Sequence, residues 1–376
     1  MTVAAPSSAD GLLGRMVDKL AEQLHPREET LSAFRKIPRH LFLPDVDVDR
    51  VYGGSAIPTK HDEKGNPISS SSEVAIMALM LDALRLEQGQ RVLEIGTGTG
   101  YNAAILAELV GADNVVTVEL DPEIADEARA HLRAAGYESL RVETADGWLG
   151  CSDGGPYARM ELTAATRDLS PNWVEQLEEG GVLVAPLVLR PNAQAMVALR
   201  KNGDRLESIS AFAGGFMWLR GTGGSPDPTQ EVGAWRVTSS RVVDPEALVA
   251  LLRETPRVEL ADPVSYGDLS LLNIIEDNSF TLSRKGNVAY SSGIIAEDGR
   301  GVALFEWTGG VLSPRMLLIS YGASDALDRL RRRLDEVRGR ALQGLRIVAV
   351  PSGGDRPDGD VVFERANYTF VVSTGR

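Results

Sequence analysis

RVLEIGTGTGY, residues 91–101, decides the fold. Val92, Leu93 and Ile95 make a short apolar run that carries one acid, Glu94. The run ends in Gly96-Thr97-Gly98-Thr99-Gly100, and helix-forming sequence follows over 102–110. A short apolar run bounded by turn residues predicts a buried parallel strand. Glycines directly after it permit a tight turn and a close backbone approach to a ligand. The next helix offers free N–H groups at its N-terminus. The stretch therefore predicts the switch point of an open α/β sheet, where nucleotide-like ligands bind.

Strand and helix patterns alternate outward from this point. A strand over 114–120 leads to a helix over 122–135, with Asp121 as its N-cap and Pro122 at its first position. Strands follow at 140–144, 159–163 and 182–189, with a short helix at 171–177. Segments 193–200 and 205–214 read as a closing hairpin around Asn202-Gly203. Such alternation with short connections predicts an α/β, doubly wound, mostly parallel seven-stranded sheet. Upstream, 11–24 and 32–37 read as helices, 45–72 as a long irregular loop, and 73–86 as a buried helix capped by a serine of Ser69–Ser72. The first unit spans 1–220.

Residues 221–231 are rich in Gly and Pro and read as a linker. The remainder, 232–376, predicts a second, smaller α+β domain. Its strands are expected near 234–242, 279–283, 288–291, 301–307, 345–350 and 368–373, with helices at 245–254 and 323–340. Arg329, Arg331, Arg332 and Arg333 in the last helix alternate with acids and read as a solvated face.

The chain of 376 residues is 43% hydrophobic and 24% charged, an ordinary globular composition. Its net charge of −14 argues against nucleic acid as a partner. A single cysteine, Cys151, rules out an internal disulfide framework and suits a reducing, cytoplasmic setting. The N-terminal stretch lacks a signal-peptide pattern, and no apolar run approaches the roughly 18 residues that a membrane span requires.

Three acids stand at successive strand ends. Glu94 precedes Gly96, Thr97, Gly98 and Gly100, a spacing that departs from the dinucleotide pattern G-x-G-x-x-G. Glu119, followed by Leu120, closes the next strand, where a carboxylate can accept both ribose hydroxyls. Asp146, followed by Gly147, closes the third, within reach of an adenine amine. Together they predict a pocket for an adenosine with a small polar attachment and no pyrophosphate.

VLEIGTGTGY, VVTVELD and TADGW resemble class I S-adenosylmethionine-dependent methyltransferases. AFRKIPRHLFLP (33–44), Ile68-Ser69 ahead of Val74-Ala75, Pro156-Tyr157 with Thr163-Ala164-Ala165, and QLEEGGVLVAPL (176–187) are more specifically similar to protein L-isoaspartate O-methyltransferases. The resemblance covers about residues 10–220. It implies S-adenosyl-L-methionine as cofactor, no metal, and methyl transfer to a peptide or protein bearing an Asp or isoaspartyl carboxylate. Ser69 matches the family's substrate-contacting serine. Ser70, Ser71 and Thr163 are its implied neighbours, with Ser69, Ser70 and Thr163 as the catalytic set. A carboxylate is already a nucleophile at neutral pH, so the expected catalysis is alignment in a dry pocket.

Departures from the family gather on the substrate side. Ser70-Ser71 replaces the usual Gln-Pro or Ala-Pro, Ala158 replaces an acid, the loop over 60–67 is long and polar, and 232–376 is additional. The combination resembles variants with a C-terminal extension that tailor ribosomally synthesised peptides (lanthipeptides, lasso peptides, graspetides). In those, an Asp methyl ester of a ring-constrained peptide cyclises to an aspartimide. The alternative is a general isoaspartyl repair methyltransferase. A third reading takes 230–376 as a binding module beside a degenerate, cofactor-sensing first half.

Overall fold

The strand that precedes the glycine loop sits at the centre of a parallel sheet. In the computed structural model, residues 9–63, 65–241, 244–284, 290–308, 315–322, 325–342 and 344–375 are described. The chain opens with α1 (Ala9–Leu24), α2 (Glu28–Lys36), α3 (Val48–Tyr52), the hairpin strands β1 (Ile57–His61) and β2 (Pro67–Ser71), and α4 (Val74–Leu84). Then come β3 (Val92–Ile95), α5 (Tyr101–Val110), β4 (Val115–Glu119), α6 (Pro122–Ala134), β5 (Arg141–Thr144), β6 (Tyr157–Leu162), α7 (Pro171–Gln176), β7 (Leu177–Arg190), β8 (Ala193–Asn202) and β9 (Arg205–Phe212). The sheet runs β5-β4-β3-β6-β7-β8-β9. Its first five strands are parallel, and β8 and β9 return antiparallel. This is the expected doubly wound sheet, with the order reversing beside β3.

Local chemistry accounts for the elements nearest the cavity. Asp121 accepts the Glu123 and Ile124 amides, and Pro122 occupies the first helical position of α6. The helix α5 starts at Gly100 with no side-chain cap, which leaves its first amides to the glycine loop.

Two upstream expectations are corrected. Residues 45–72 are not an irregular loop, since they hold α3 and the antiparallel β1–β2 hairpin, with a register shift between Pro58 and Lys60. Nor does a serine cap α4. Glu73 stands at that position without a side-chain bond, and the Val74 amide donates to the Gly54 carbonyl. Both differences have one cause. The buried Arg39 gathers the carbonyls of Val51, Ser55, Ser71 and Ser72, and so folds this polar stretch onto itself.

The second sheet is built from β10 (Gln230–Val232), β11 (Trp235–Ser239), β12 (Arg257–Ala261), β13 (Ser279–Arg284), β14 (Tyr290–Ile295), β15 (Gly301–Thr308) and β16 (Arg315–Gly322). It is antiparallel, in the order β10-β11-β13-β14-β15-β16-β12. The helices α8 (Pro245–Leu251), α9 (Tyr266–Ile275) and α10 (Ala326–Val337) accompany it. The strand expected at 288–291 and the helix expected from 323 begin outside the described residues, and their described parts start at Tyr290 and Ala326. Arg329 and Arg333 pair with the fully buried Glu276, so the arginine cluster is in part a buried ion network rather than only a solvated face.

The segment 232–376 does not close on itself. Its last strands, β17 (Leu345–Pro351), β18 (Val361–Glu364) and β19 (Tyr368–Thr374), extend the first sheet to ten strands. An unpaired edge leaves backbone donors and acceptors to be satisfied. At β9 that partner is β17, with Val348 opposite Glu207 and Ala349 opposite Leu206. One core then runs from Leu187 and Ala195 through Leu272 and Leu330 to Ile347 and Phe370. Each large side chain fully buried there contributes about 1.5–3 kcal/mol. Among the described residues, no helix is long and apolar enough to cross a membrane.

Candidate functional site

A cavity of about 780 Å³ opens at the carboxyl ends of β3, β4 and β6, beneath the β1–β2 hairpin. The loop after β3 is shaped by position. Gly96, Gly98 and Gly100 all have positive φ, at 105°, 53° and 86°. A Cβ on Gly96 would overlap the Thr163 hydroxyl, and one on Gly98 would come within 3.3 Å of the Ser70 carbonyl oxygen. The loop is thus held between the end of β6 and the serine strand β2, and glycine is the residue that fits both contacts.

Glu119, at the end of β4, is 6% exposed and borders the cavity. Its carboxylate accepts the Gly98 amide at 3.1 Å and the Asp121 amide at 3.1 Å. Leu120 and Gly147 also line the wall. Asp146 is held by the chain that follows the first sheet. Its carboxylate accepts the Trp148 amide at 3.0 Å and the Thr222 amide at 2.7 Å. Burial works against its ionisation, yet the Thr222 and Trp148 amides hold its carboxyl below the usual range. The expected linker therefore begins as a strap. Gly221 lies against Asp146, Gly223 against the Trp148 ring, and the Arg220 guanidinium is 3.9 Å from Glu119.

Glu94, beneath the loop, and Thr97, within it, are buried at the base of the cavity. The hydroxyls of Thr97 and Thr117 are 2.7 Å apart, and Thr117 donates to Glu94 at 2.5 Å. Asn102 donates from one amide nitrogen to Glu94 at 2.8 Å and to Glu161 at 2.9 Å. Glu94 and Glu161 face each other across the β3–β6 pair. Burial pushes the Glu94 carboxyl up to about 7, against the opposing bonds from Thr117 and Asn102. Burial and the Glu94 carboxylate push the Glu161 carboxyl up to about 8. The pair underpins the loop from below.

The serines divide. Ser69 is 6% exposed, lines the cavity, and accepts a hydrogen bond from the Thr59 hydroxyl at 3.1 Å. Ser70, half-buried, lies over Gly98 through its carbonyl. Ser71, expected to touch substrate, is turned to Arg39, whose Nε and Nη2 lie 3.3 and 3.2 Å from its hydroxyl. Ser71 still borders the cavity, but its hydroxyl serves the scaffold, because the buried guanidinium needs an oxygen at each of its donors. The Thr163 hydroxyl donates to the Gly96 carbonyl at 2.6 Å, so it fixes the loop while bordering the cavity. Across the mouth, Lys60 of β1 reaches Asp121 at 2.9 Å and Glu123 at 2.6 Å, which ties the hairpin to the start of α6.

Several of these residues carry no site signal in the sequence. Arg39 lies within AFRKIPRHLFLP, which carries the family resemblance but nothing that marks this arginine. Glu161 reads as one acid in an apolar strand. Gly214–Arg220 and Tyr266 reach the cavity from beyond the first sheet's parallel part, and no local pattern marks them.

The model of the family described as protein-L-isoaspartate(D-aspartate) O-methyltransferase (PCMT) matches residues 14–216. The chain is 36% identical over 213 residues to the protein-L-isoaspartate O-methyltransferase of Dictyoglomus thermophilum, covering 57% of this chain and 93% of that protein. It is 38% identical over 174 residues to protein-L-isoaspartate O-methyltransferase 2 of Archaeoglobus fulgidus, covering 46% and 77%. A solved structure titled protein-L-isoaspartate O-methyltransferase has a TM-score of 0.54 at 24% identity, over 89% of this chain and 96% of that one. That last likeness is one of fold, and it extends into the C-terminal half. With the glycine loop, Glu119 and the serine strand around one cavity, this chain belongs to the protein-L-isoaspartate O-methyltransferase family of S-adenosylmethionine-dependent carboxyl methyltransferases.

Proposed function

We propose that the protein methylates isoaspartyl carboxylates of peptides and proteins, with S-adenosyl-L-methionine as methyl donor. The observation that carries this reading is the approach of Gly98 to the Ser70 carbonyl oxygen and the Ser69 hydroxyl, which joins the cofactor loop and the serine strand in one cavity. The cavity volume lies in the range of small-molecule sites, about 300–1,000 Å³. A Cβ at Gly96 would strike the Thr163 hydroxyl, so glycine there lets the loop close against the end of β6 and border the cavity.

In this reading the backbone of Gly96, Thr97, Gly98 and Gly100 cradles the donor. Glu119 accepts the ribose hydroxyls, while Leu120 and Gly147 bound the adenine and Asp146, whose oxygens take the Trp148 and Thr222 amides, fixes that wall. Glu94 supports the loop from beneath. Bound there, S-adenosylmethionine supplies a methyl group on a sulfonium. Ser69, Ser70 and Thr163 hold the acceptor carboxylate, which needs no base because it is already ionised at neutral pH. The hairpin and its Lys60 latch exclude water from the aligned groups.

A second reading assigns the same chemistry to an Asp of a ring-constrained, ribosomally made peptide, the ester then closing to an aspartimide. It is favoured by Ser70-Ser71 and by the extra half of the chain. The solved relative in fold weighs against using the extra half this way, since a structure titled as an isoaspartyl enzyme spans most of it. One assay separates the two. The protein is offered S-adenosylmethionine with an isoaspartyl peptide or with a ring-constrained Asp precursor, and the mass is followed. Methyl gain on the isoaspartyl peptide supports the first reading. Methyl gain followed by methanol loss on the precursor alone overturns it in favour of the second.

A further inference from the structure

One wall of the cavity lies outside the segment that the family model matches. That match ends at residue 216, and Tyr266, the first residue of α9, borders the same cavity as Ser69, Thr163 and Phe216. Its side chain stays 53% exposed. A large aromatic that remains open to solvent at a cavity mouth is free to bury its ring against a ligand.

The mount of this ring is rigid. The Ser265 hydroxyl accepts the Asp268 amide at 3.1 Å, and the Asp268 carboxylate accepts the Ser265 amide and the Ala341 amide, each at 3.0 Å. Asp268 is itself 3% exposed. Behind it, Leu269, Leu272 and Ile274 are buried in the core that α9 shares with β7 and β8. A side chain on such a helix start is pre-organised and loses little freedom when it meets a ligand.

Its side of the cavity is set by the sheet. Glu119 ends β4, on one flank of β3, and Thr163 follows β6, on the other. The strands β7 and β8 continue outward from β6, and α9 packs on them. The strap there is held close, because Gln194 of β8 bonds both the amide and the carbonyl of Phe216, at 2.8 and 3.1 Å. Tyr266 therefore reaches the cavity from the flank of Thr163, away from Glu119.

We propose that Tyr266 is a specificity-determining residue that packs its ring against the peptide segment flanking the methylated carboxylate, so that the C-terminal half forms part of the acceptor site. This rests on the isoaspartyl reading above. The ligand class is an extended peptide with an apolar or aromatic residue beside the acceptor.

The test compares wild type, Y266A and Y266F on an extended isoaspartyl peptide with an aromatic flanking residue and on an N-acetylated isoaspartyl dipeptide amide. Thermal unfolding and S-adenosylhomocysteine binding are measured alongside. Y266A is expected to raise KM for the extended peptide by about tenfold, the scale of one lost aromatic contact. It should leave KM for the short acceptor, the midpoint of unfolding and S-adenosylhomocysteine affinity nearly unchanged, and Y266F should restore KM. An unchanged KM for the extended peptide in Y266A overturns the inference, as does an equal loss for both acceptors or a loss of S-adenosylhomocysteine affinity. If wild type methylates neither acceptor, the isoaspartyl reading fails and the inference falls with it. Should Y266A not fold, Y266L gives the same comparison.

Discussion

The two flanks of the cavity are built by different routes. The donor flank comes from one continuous run of chain, β3, the glycine loop, α5 and β4, onto which Ser70, Thr163 and Arg220 close from outside. The acceptor flank is assembled from segments far apart in sequence: Arg39, the β1–β2 hairpin, Thr163, the strap 213–220 and Tyr266. The donor flank is thus a local structure that the rest of the fold supports. The acceptor flank exists only when the whole fold is in place. A family can keep its reaction on the first and change its substrate on the second.

That contrast can be broken most directly at Arg39. Arg39→Met would leave the Ser71 hydroxyl and four carbonyls, those of Val51 and Ser71 buried, without their donor, and should cost about 3–5 kcal/mol in urea unfolding. Acceptor turnover should fall further than S-adenosylhomocysteine binding does. Equal losses would mean the two flanks do not separate.

Gly96→Ala attacks the donor flank. It sets a Cβ against Thr163 at a φ of 105°, and S-adenosylhomocysteine affinity should drop by about 100-fold, measured by calorimetry. A change confined to acceptor KM would contradict the assignment. Ser69→Ala should lower kcat by about 10- to 30-fold while S-adenosylhomocysteine affinity holds, consistent with the loss of a hydrogen bond to a charged group.

The scaffold beneath the loop gives a pH test. Burial raises the Glu161 carboxyl to about 8, and it lies near 4.3 in the unfolded chain. Between those values the folded protein binds more protons than the unfolded one. Stability is therefore fully present below about pH 4.3 and is lost as pH rises toward 8, by up to about 1.4 kcal/mol per pH unit. Glu94, raised to about 7 by burial, acts in the same direction. Glu161→Gln should flatten that decline in denaturation midpoints between pH 5 and 8. A slope that persists unchanged would place its origin elsewhere. The smallest effect is expected at the latch, where Lys60→Ala removes a half-buried ion pair to Asp121 and an exposed one to Glu123. It should speed S-adenosylhomocysteine release about two- to fivefold, and the difference should vanish at high salt.

The sheet was legible because its signals are short-range. Asp121-Pro122 caps a helix wherever it occurs, and an apolar run ending in glycines turns tightly in any fold. Glu119 was legible as a strand-end acid for the same reason. The hairpin at 57–71 was not, since its strands are polar and pair only with each other around Arg39. The boundary at residue 232 suffered similarly. A strand such as β17 reads alike whether it pairs within its own unit or on the distant edge of β9. Asp146 reads as a strand-end acceptor, and nothing near it indicates that Thr222 folds back to donate to it.

The sequence by itself determined the reaction side of this protein. Strand, glycine turn and capped helix follow from steric and hydrogen-bonding rules that act over a few residues, and they bring the strand-end acids to one sheet edge. Tertiary structure alone decided that the Ser71 hydroxyl serves Arg39 while that of Ser69 meets Thr59, that the last three strands belong to the first sheet, and that Tyr266 stands at the mouth. Those choices depend on which distant donors and edges meet in the folded chain, and burial enforces them by leaving no polar group unpaired at low cost.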